Sequence, residues 1–236
     1  MQTTEMIDEL SLFYPMFNEE ENIEEAVSRA LAVLPELARR FEIICVNDGS
    51  KDRTGELADR LAAAHPDVVR AVHHPVNRGY GAALKSGIAA CRYEWIFYTD
   101  GDNQFDLREI PLLLALRQKH EIVTGYRMDR RDPAHRKLNA WAFNLLVRIL
   151  FGVPCRDVDC AFKIYRASIF KGMTLKSEGA LIDVEIFARA RKNGARIVEV
   201  GVHHYPRRFG QQTGAKLSVI LRAFRELFRL WGELKA

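Results

Sequence analysis

Asp100-Gly-Asp102 sets two carboxylates on either side of a glycine, directly after the apolar run Trp95-Ile-Phe-Tyr-Thr99 and just before Gln104. Carboxylates at i and i+2 can share one hard divalent cation, and Gly101 lets the backbone come close to a phosphate. A Mg²⁺ or Mn²⁺ held there would bridge a diphosphate and neutralise the charge that grows on a leaving group. A plain Asp-Gly turn after a strand is the competing explanation, and the site after a buried strand favours the metal. Asn47-Asp-Gly-Ser50 follows a second apolar run and can exchange hydrogen bonds with a nucleobase, while Ser50 or Asp52 also suits a helix cap. Arg127 and Arg207 carry guanidinium forks suited to phosphate oxygens, although a single arginine is more often solvated surface. Asn77-Arg-Gly-Tyr-Gly81 has glycines like a phosphate cradle but no following Lys-Ser, so it reads as a turn into a helix. His203 and His204 are adjacent and would point to opposite faces of a strand, which rules out a simple ligand pair.

These groups need a frame that brings them together. Short apolar runs at 10–14, 41–46, 68–72, 95–99, 122–124, 162–166 and 197–202 read as strands. Between them, helices are expected from Asn18, an N-cap followed by Glu21, to about residue 40, then at 52–64, up to 90, and at 107–119, 137–151 and 182–192. Strands alternating with helices predict an α/β fold with a mostly parallel sheet and right-handed crossovers. Ligands of such sheets bind outside the carboxyl ends of the strands, where residues 15–19, 47–50 and 100–104 fall. One domain is expected over residues 1–214, followed by an amphipathic helix over 215–236.

The chain has 236 residues, 48% hydrophobic and 28% charged, which is enough for one substantial domain and too apolar for disorder. Its 35 basic and 31 acidic residues nearly cancel, so the charge of +4 gives no footprint for nucleic acid. The N-terminus lacks a secretory pattern, no apolar stretch reaches the roughly 20 residues of a membrane span, and Cys45, Cys91, Cys155 and Cys160 lack metal spacing. A cytoplasmic protein with reduced thiols is the expectation. Near the C-terminus Leu217, Ile220, Leu221, Phe224, Leu227, Phe228 and Trp231 share one helical stripe, with Arg222, Arg225 and Arg229 off its centre. That stripe suits either peripheral binding to anionic lipid on the cytoplasmic face of a membrane, or docking onto the domain or a second subunit. Oligomeric state is not encoded in any pattern.

Taken in order, Pro15-Met-Phe-Asn-Glu19, Val46-Asn-Asp-Gly-Ser-Lys-Asp52, Asp100-Gly-Asp-Asn-Gln104 and Gly125-Tyr-Arg127 resemble the motifs of family-2 glycosyltransferases of the GT-A fold. Asp157-Val-Asp-Cys-Ala-Phe-Lys163 and residues 207–213 extend the likeness, which covers most of the chain. Within the family the chain is most similar to polyprenol-phosphate (dolichol-phosphate) mannosyl- and glucosyltransferases. The resemblance implies an inverting transfer from a UDP- or GDP-sugar to a polyprenyl-phosphate acceptor. It places Pro15, Phe17 and Glu19 on the nucleotide, Cys45, Asn47 and Asp48 near the base, and Asp100, Gly101 and Asp102 on the diphosphate and metal. Gln104 would be a further metal ligand, and Arg127, Arg207 and, more weakly, Arg136 would bind phosphates. Asn47 stands where the family usually has Asp, which removes a charge from the base site. A phosphate acceptor is already anionic, whereas a hydroxyl acceptor needs a base, for which Asp157 and Asp159 are the candidates. Transfer to a saccharide or protein hydroxyl in solution is the alternative activity; a nucleotide-sugar-binding protein without turnover is the alternative class. A lipid-soluble labelled product separates the first, and donor binding without sugar release the second.

Overall fold

From Leu12 on, β1 (Ile7–Met16) is wholly apolar, as are Ile43–Val46 of β2 (Ala38–Asn47) and Trp95–Tyr98 of β4 (Trp95–Thr99), as expected of strands covered on both faces. The computed structural model describes residues 5–128, 134–209 and 217–235, with backbone alone at 134–137 and 217–224. Along the chain, α1 (Ile23–Leu37) joins β1 to β2, and α2 (Thr54–Ala64) leads to β3 (Val69–His73). Then α3 (Tyr80–Ala90) leads to β4, and a 3-10 turn and α4 (Ile110–Leu114) lead to β5 (Ile122–Arg127). α5 (Ala134–Phe151), β6 (Phe162–Arg166), α6 (Ile182–Lys192), β7 (Ile197–Val202) and α7 (Leu217–Lys235) follow. The strands form one sheet in the order β3-β2-β1-β4-β6-β5-β7. β6 alone is antiparallel to its neighbours β4 and β5, so the α/β, mostly parallel expectation holds.

The reversal of β6 matters for the site. Every other strand ends at one edge of the sheet, and β6 begins there. Residues 157–161, just before β6, therefore reach the same edge as the tips of β1, β2, β4, β5 and β7.

Several boundaries differ from those read in the sequence. α1 stops at Leu37 rather than near residue 40, because Ala38 is already extended and pairs with Ile7. β1 runs through Pro15 to Met16, where Pro15 lies past the last residue paired with β4 and faces only Val46 of β2. The helix expected over 107–119 is a 3-10 turn, Leu107–Glu109, followed by a single short helix ending at Leu114. Asp106 accepts a hydrogen bond from the Arg108 amide at its start, and Arg117 Nη1 caps the Leu114 carbonyl at 2.8 Å at its end. β5 extends to Arg127 because its pairing with β7 continues to Val202.

At the C-terminus Leu227 and Leu230 of α7 are buried in the core, while Phe228 is exposed. The apolar stripe thus docks at least in part on the domain itself. Leu217, Ile220, Leu221, Phe224 and Arg222 fall where side chains lie outside the described residues. No described helix is long and apolar enough to cross a membrane. All four cysteines are free thiols, Cys45, Cys155 and Cys160 buried and Cys91 partly so.

Candidate functional site

At the carboxyl edge a crevice of about 710 Å³ opens between the tips of β1 and β4, lined by Pro15–Glu19, Asp48, Asn77, Gly79, Tyr80, Ala83, Asp100–Asp102 and Arg207. The β1 tip is held by the segment after β2: the Asn18 amide donates to Ser50 Oγ at 2.9 Å and the Glu19 amide to Thr54 Oγ1 at 2.8 Å. Asn47-Asp-Gly-Ser50 thereby acts first as scaffolding. Asn47 Oδ1 accepts from the Ser50 amide at 3.0 Å, and its amide nitrogen lies 3.1 Å from His73 Nδ1. Cys45 is fully buried under this edge, where burial pushes its thiol up to about 12, and it does not line the crevice.

Asp48 is also more constrained than its sequence context implies. Its two oxygens accept from the amides of Arg78 and Gly79, each at 2.9 Å, and meet His74 Nδ1 at 2.6 Å. It thus pins the loop 74–79 beside β1. Gly49 and Gly79 serve this loop directly: both have positive φ (+65° and +96°), and a Cβ on Gly49 would lie 2.2 Å from the Val76 backbone. The run 77–81, which reads in sequence as a simple turn, consequently forms one wall of the crevice.

Asp100 and Asp102 reach this crevice together from the tip of β4. Burial, and then Asp102, push the Asp100 carboxyl well above the usual carboxylate range, while a hydrogen bond from Tyr80 draws it back. Burial raises Asp102 as well, opposed by the Gln104 amide and by Arg207. Arg207 Nη2 bonds Glu19 Oε1, and its Nη1 stands 3.6 Å from Asp102 Oδ2. Asp100 and Asp102 offer a pair of hard oxygen donors of the kind a divalent cation takes. Among the described residues no three His, Cys, Asp or Glu side chains converge on a metal-sized point, so an ion held by this pair would take most of its ligands from outside the protein. Gln104, expected as a third ligand, turns away: its Nε2 donates to the Tyr205 carbonyl at 2.8 Å and it does not line the crevice.

Behind Asp100 lies a network that sequence spacing does not reveal. Lys163 is 0% exposed, and its ammonium donates to Asp183 Oδ1 and to the Tyr98 hydroxyl, each at 2.8 Å. Tyr98 in turn donates to Asp183 Oδ1 at 2.6 Å. The Tyr80 hydroxyl donates to Asp100 Oδ1 at 3.1 Å.

Arg127 and Asp157, which the sequence offers for separate roles, engage each other. The guanidinium makes a two-pronged contact, Nε to Oδ2 at 2.8 Å and Nη2 to Oδ1 at 2.7 Å, and the Arg127 amide adds a third bond. Burial opposes the charge on Arg127, but Asp157 outweighs it and holds the guanidinium protonated. Asp159 is reached by solvent although protein crowds around it, and that crowding, then Asp183 and Asp157, raise its carboxyl. The Arg136 side chain lies outside the described residues, as do residues 210–213. His203 pairs with Glu109 while the His204 ring packs edge-on to Phe105, so the two adjacent imidazoles do have different partners.

A mostly parallel sheet with an acidic pair at the tip of a central strand is the GT-A type of glycosyltransferase fold. The chain aligns over 95% of its length with glucosyl-3-phosphoglycerate synthase of Mycobacterium tuberculosis, crystallised with Mn²⁺, UDP and phosphoglyceric acid, at a TM-score of 0.73 and 19% identity, covering 79% of that chain. The chain belongs to glycosyl transferase family 2, whose model matches residues 11–174. Among curated relatives, it is 34% identical over 205 residues to a dodecaprenyl-phosphate galacturonate synthase of Rhizobium johnstonii, covering 86% of this chain and 60% of the relative. It is 37% identical over 170 residues to an undecaprenyl-phosphate 4-deoxy-4-formamido-L-arabinose transferase of Pseudomonas aeruginosa, covering 71% of this chain and 50% of the relative. The chain thus spans about half to three fifths of the length of these relatives.

Proposed function

We propose that the protein is an inverting glycosyltransferase that moves a sugar from a nucleotide-diphosphate sugar to a polyprenyl phosphate. The observation that carries this reading is the shared crevice, in which Asp100 and Asp102 face the β1 tip and the loop pinned by Asp48. A bound Mg²⁺ or Mn²⁺ would supply charge neutralisation at the leaving diphosphate; the Mn²⁺ and UDP in the mycobacterial synthase support that choice. Asp100 and Asp102 would hold the ion, and Pro15, Phe17 and Glu19 would line the nucleotide side. Arg207 is placed to exchange its carboxylate partners for phosphate oxygens.

The commitment of Asp157 to Arg127 favours a phosphate acceptor, which is already ionised and needs only positioning opposite the leaving group. The two curated relatives, both named for polyprenyl-phosphate acceptors, point the same way. Incubated with radiolabelled UDP- or GDP-sugars, Mn²⁺ and undecaprenyl phosphate, the protein is expected to move label into the organic phase. Label released only into water, or carried by a water-soluble saccharide, would refute the lipid acceptor.

The lipid acceptor requires a route to a membrane surface, and α5 offers one. Leu138, Trp141 and Ile149 on this helix are 62%, 62% and 69% exposed. Residues 134–151 contain no acid, and Arg148 stands exposed beside the stripe. Apolar exposure flanked only by positive charge matches an anionic lipid interface. The protein is expected to float with phosphatidylglycerol-containing liposomes at low salt, and Trp141→Glu to reduce that fraction several-fold. Equal flotation of the two would rule α5 out.

A further inference from the structure

The Tyr80 hydroxyl occupies an unusual place. It sits on the first residue of α3, half-buried in the crevice wall, and bonds the inner side of the acidic pair at Asp100 Oδ1. Behind it, Tyr98 of β4 is fully buried, and its own hydroxyl is fixed by Lys163 of β6 and Asp183 of α6.

The backbone around Tyr80 is fixed just as firmly. The Gly81 amide donates to the Glu178 carbonyl at 2.8 Å, and a Cβ on Gly79 would lie 2.6 Å from that same oxygen. The Arg78 and Gly79 amides are taken by Asp48. With the residues on either side of it held by Asp48 and Glu178, the Tyr80 backbone has little freedom to follow a moving partner. An aspartate has only two side-chain torsions, and one hydrogen bond from a fixed donor suffices to select its rotamer.

We infer that Tyr80, set in a backbone pinned on both sides, is a positioning residue that holds Oδ1 of Asp100 so that the other oxygen faces the crevice for a divalent cation. This rests on the metal-assisted reading of the crevice and adds a residue to it. Outer partners that orient a ligating carboxylate typically change metal affinity about 10- to 100-fold when lost.

Removing only the hydroxyl tests the inference, since Tyr80→Phe keeps the ring and its packing. Titration of Mn²⁺ alone, followed by the electron paramagnetic resonance of the free ion, is expected to show about tenfold weaker binding in Tyr80→Phe. Melting should stay within about 2 °C of the wild type, since a single neutral hydroxyl donating one hydrogen bond contributes only about 1 kcal/mol. Sugar transfer by the variant should recover at saturating Mn²⁺, so that the loss appears in the metal requirement and not in kcat. Mn²⁺ binding by Tyr80→Phe within twofold of wild type, alongside loss of binding in Asp102→Ala, would overturn the role of Tyr80 and leave the site reading intact. Absence of saturable Mn²⁺ binding in the wild type would overturn both.

Discussion

Asp102→Ala is expected to cut sugar transfer by roughly a thousandfold or more while the protein stays folded, because it removes an interaction that strengthens as the diphosphate departs. The residue is buried yet contributes little to the fold. Its carboxylate stands near Asp100 and Glu19, and burial disfavours its charge, with the Gln104 amide, Arg207 and its own amide offsetting that in part. Removing it relieves repulsion. The thermal midpoint should therefore hold or rise slightly while activity is lost, a pairing that unfolding could not produce. Transfer measured with labelled donor and Mn²⁺, beside a melting curve, checks both halves. Wild-type turnover in Asp102→Ala under excess chelator would end the metal mechanism.

Lys163→Met is expected to have the largest effect on stability, about 3–5 kcal/mol, because it strands the buried Asp183 carboxylate without its counter-ion. For a chain of this size that corresponds to a fall of about 10 °C in Tm. The ammonium has no route to water, being fully buried, with the rings of Tyr98 and Phe187 at 5.1 and 5.5 Å. Adding Asp183→Leu should recover much of the loss, since the charge that needed a partner is gone. Tyr98 would then lack its acceptor, so recovery should be incomplete. Urea unfolding of the two variants decides the matter: a single variant as stable as the wild type would mean the pair carries no net weight.

The sequence shows the site better than its supports. Asp100-Gly-Asp102 is legible because a strand of five apolar residues must end where its polarity changes, and the carboxyl edge of a parallel sheet is where ligands sit. The likeness of the ordered motifs to family-2 enzymes then gives the family directly. Strand orientation is another matter. The pattern Phe162–Arg166 announces a strand, but nothing in five residues states that it runs against its neighbours, and that reversal is what delivers Asp157 and Asp159 to the working edge. Side-chain partnerships across long separations are equally silent: Tyr98 and Asp183 lie 85 positions apart, and Arg127 and Asp157 lie 30 apart. Such pairings decide that Asp48 holds a loop, that Gln104 clasps Tyr205, and that Arg127 begins with a carboxylate in its grip. The short helix after Asp106 illustrates a further limit, where an arginine reaching back to cap a carbonyl ends a periodic pattern early.

Arg207 reaches Glu19 across 188 residues of chain. That contact closes only when the segment after β7 folds back across the crevice, so an intermediate in which this segment is undocked would carry Glu19, Asp100 and Asp102 without that guanidinium beside them. Such an intermediate should attract dissolved cations more strongly than the finished protein does in its resting state. Docking of that segment would then finish the fold and also weaken the pull of the crevice on stray cations.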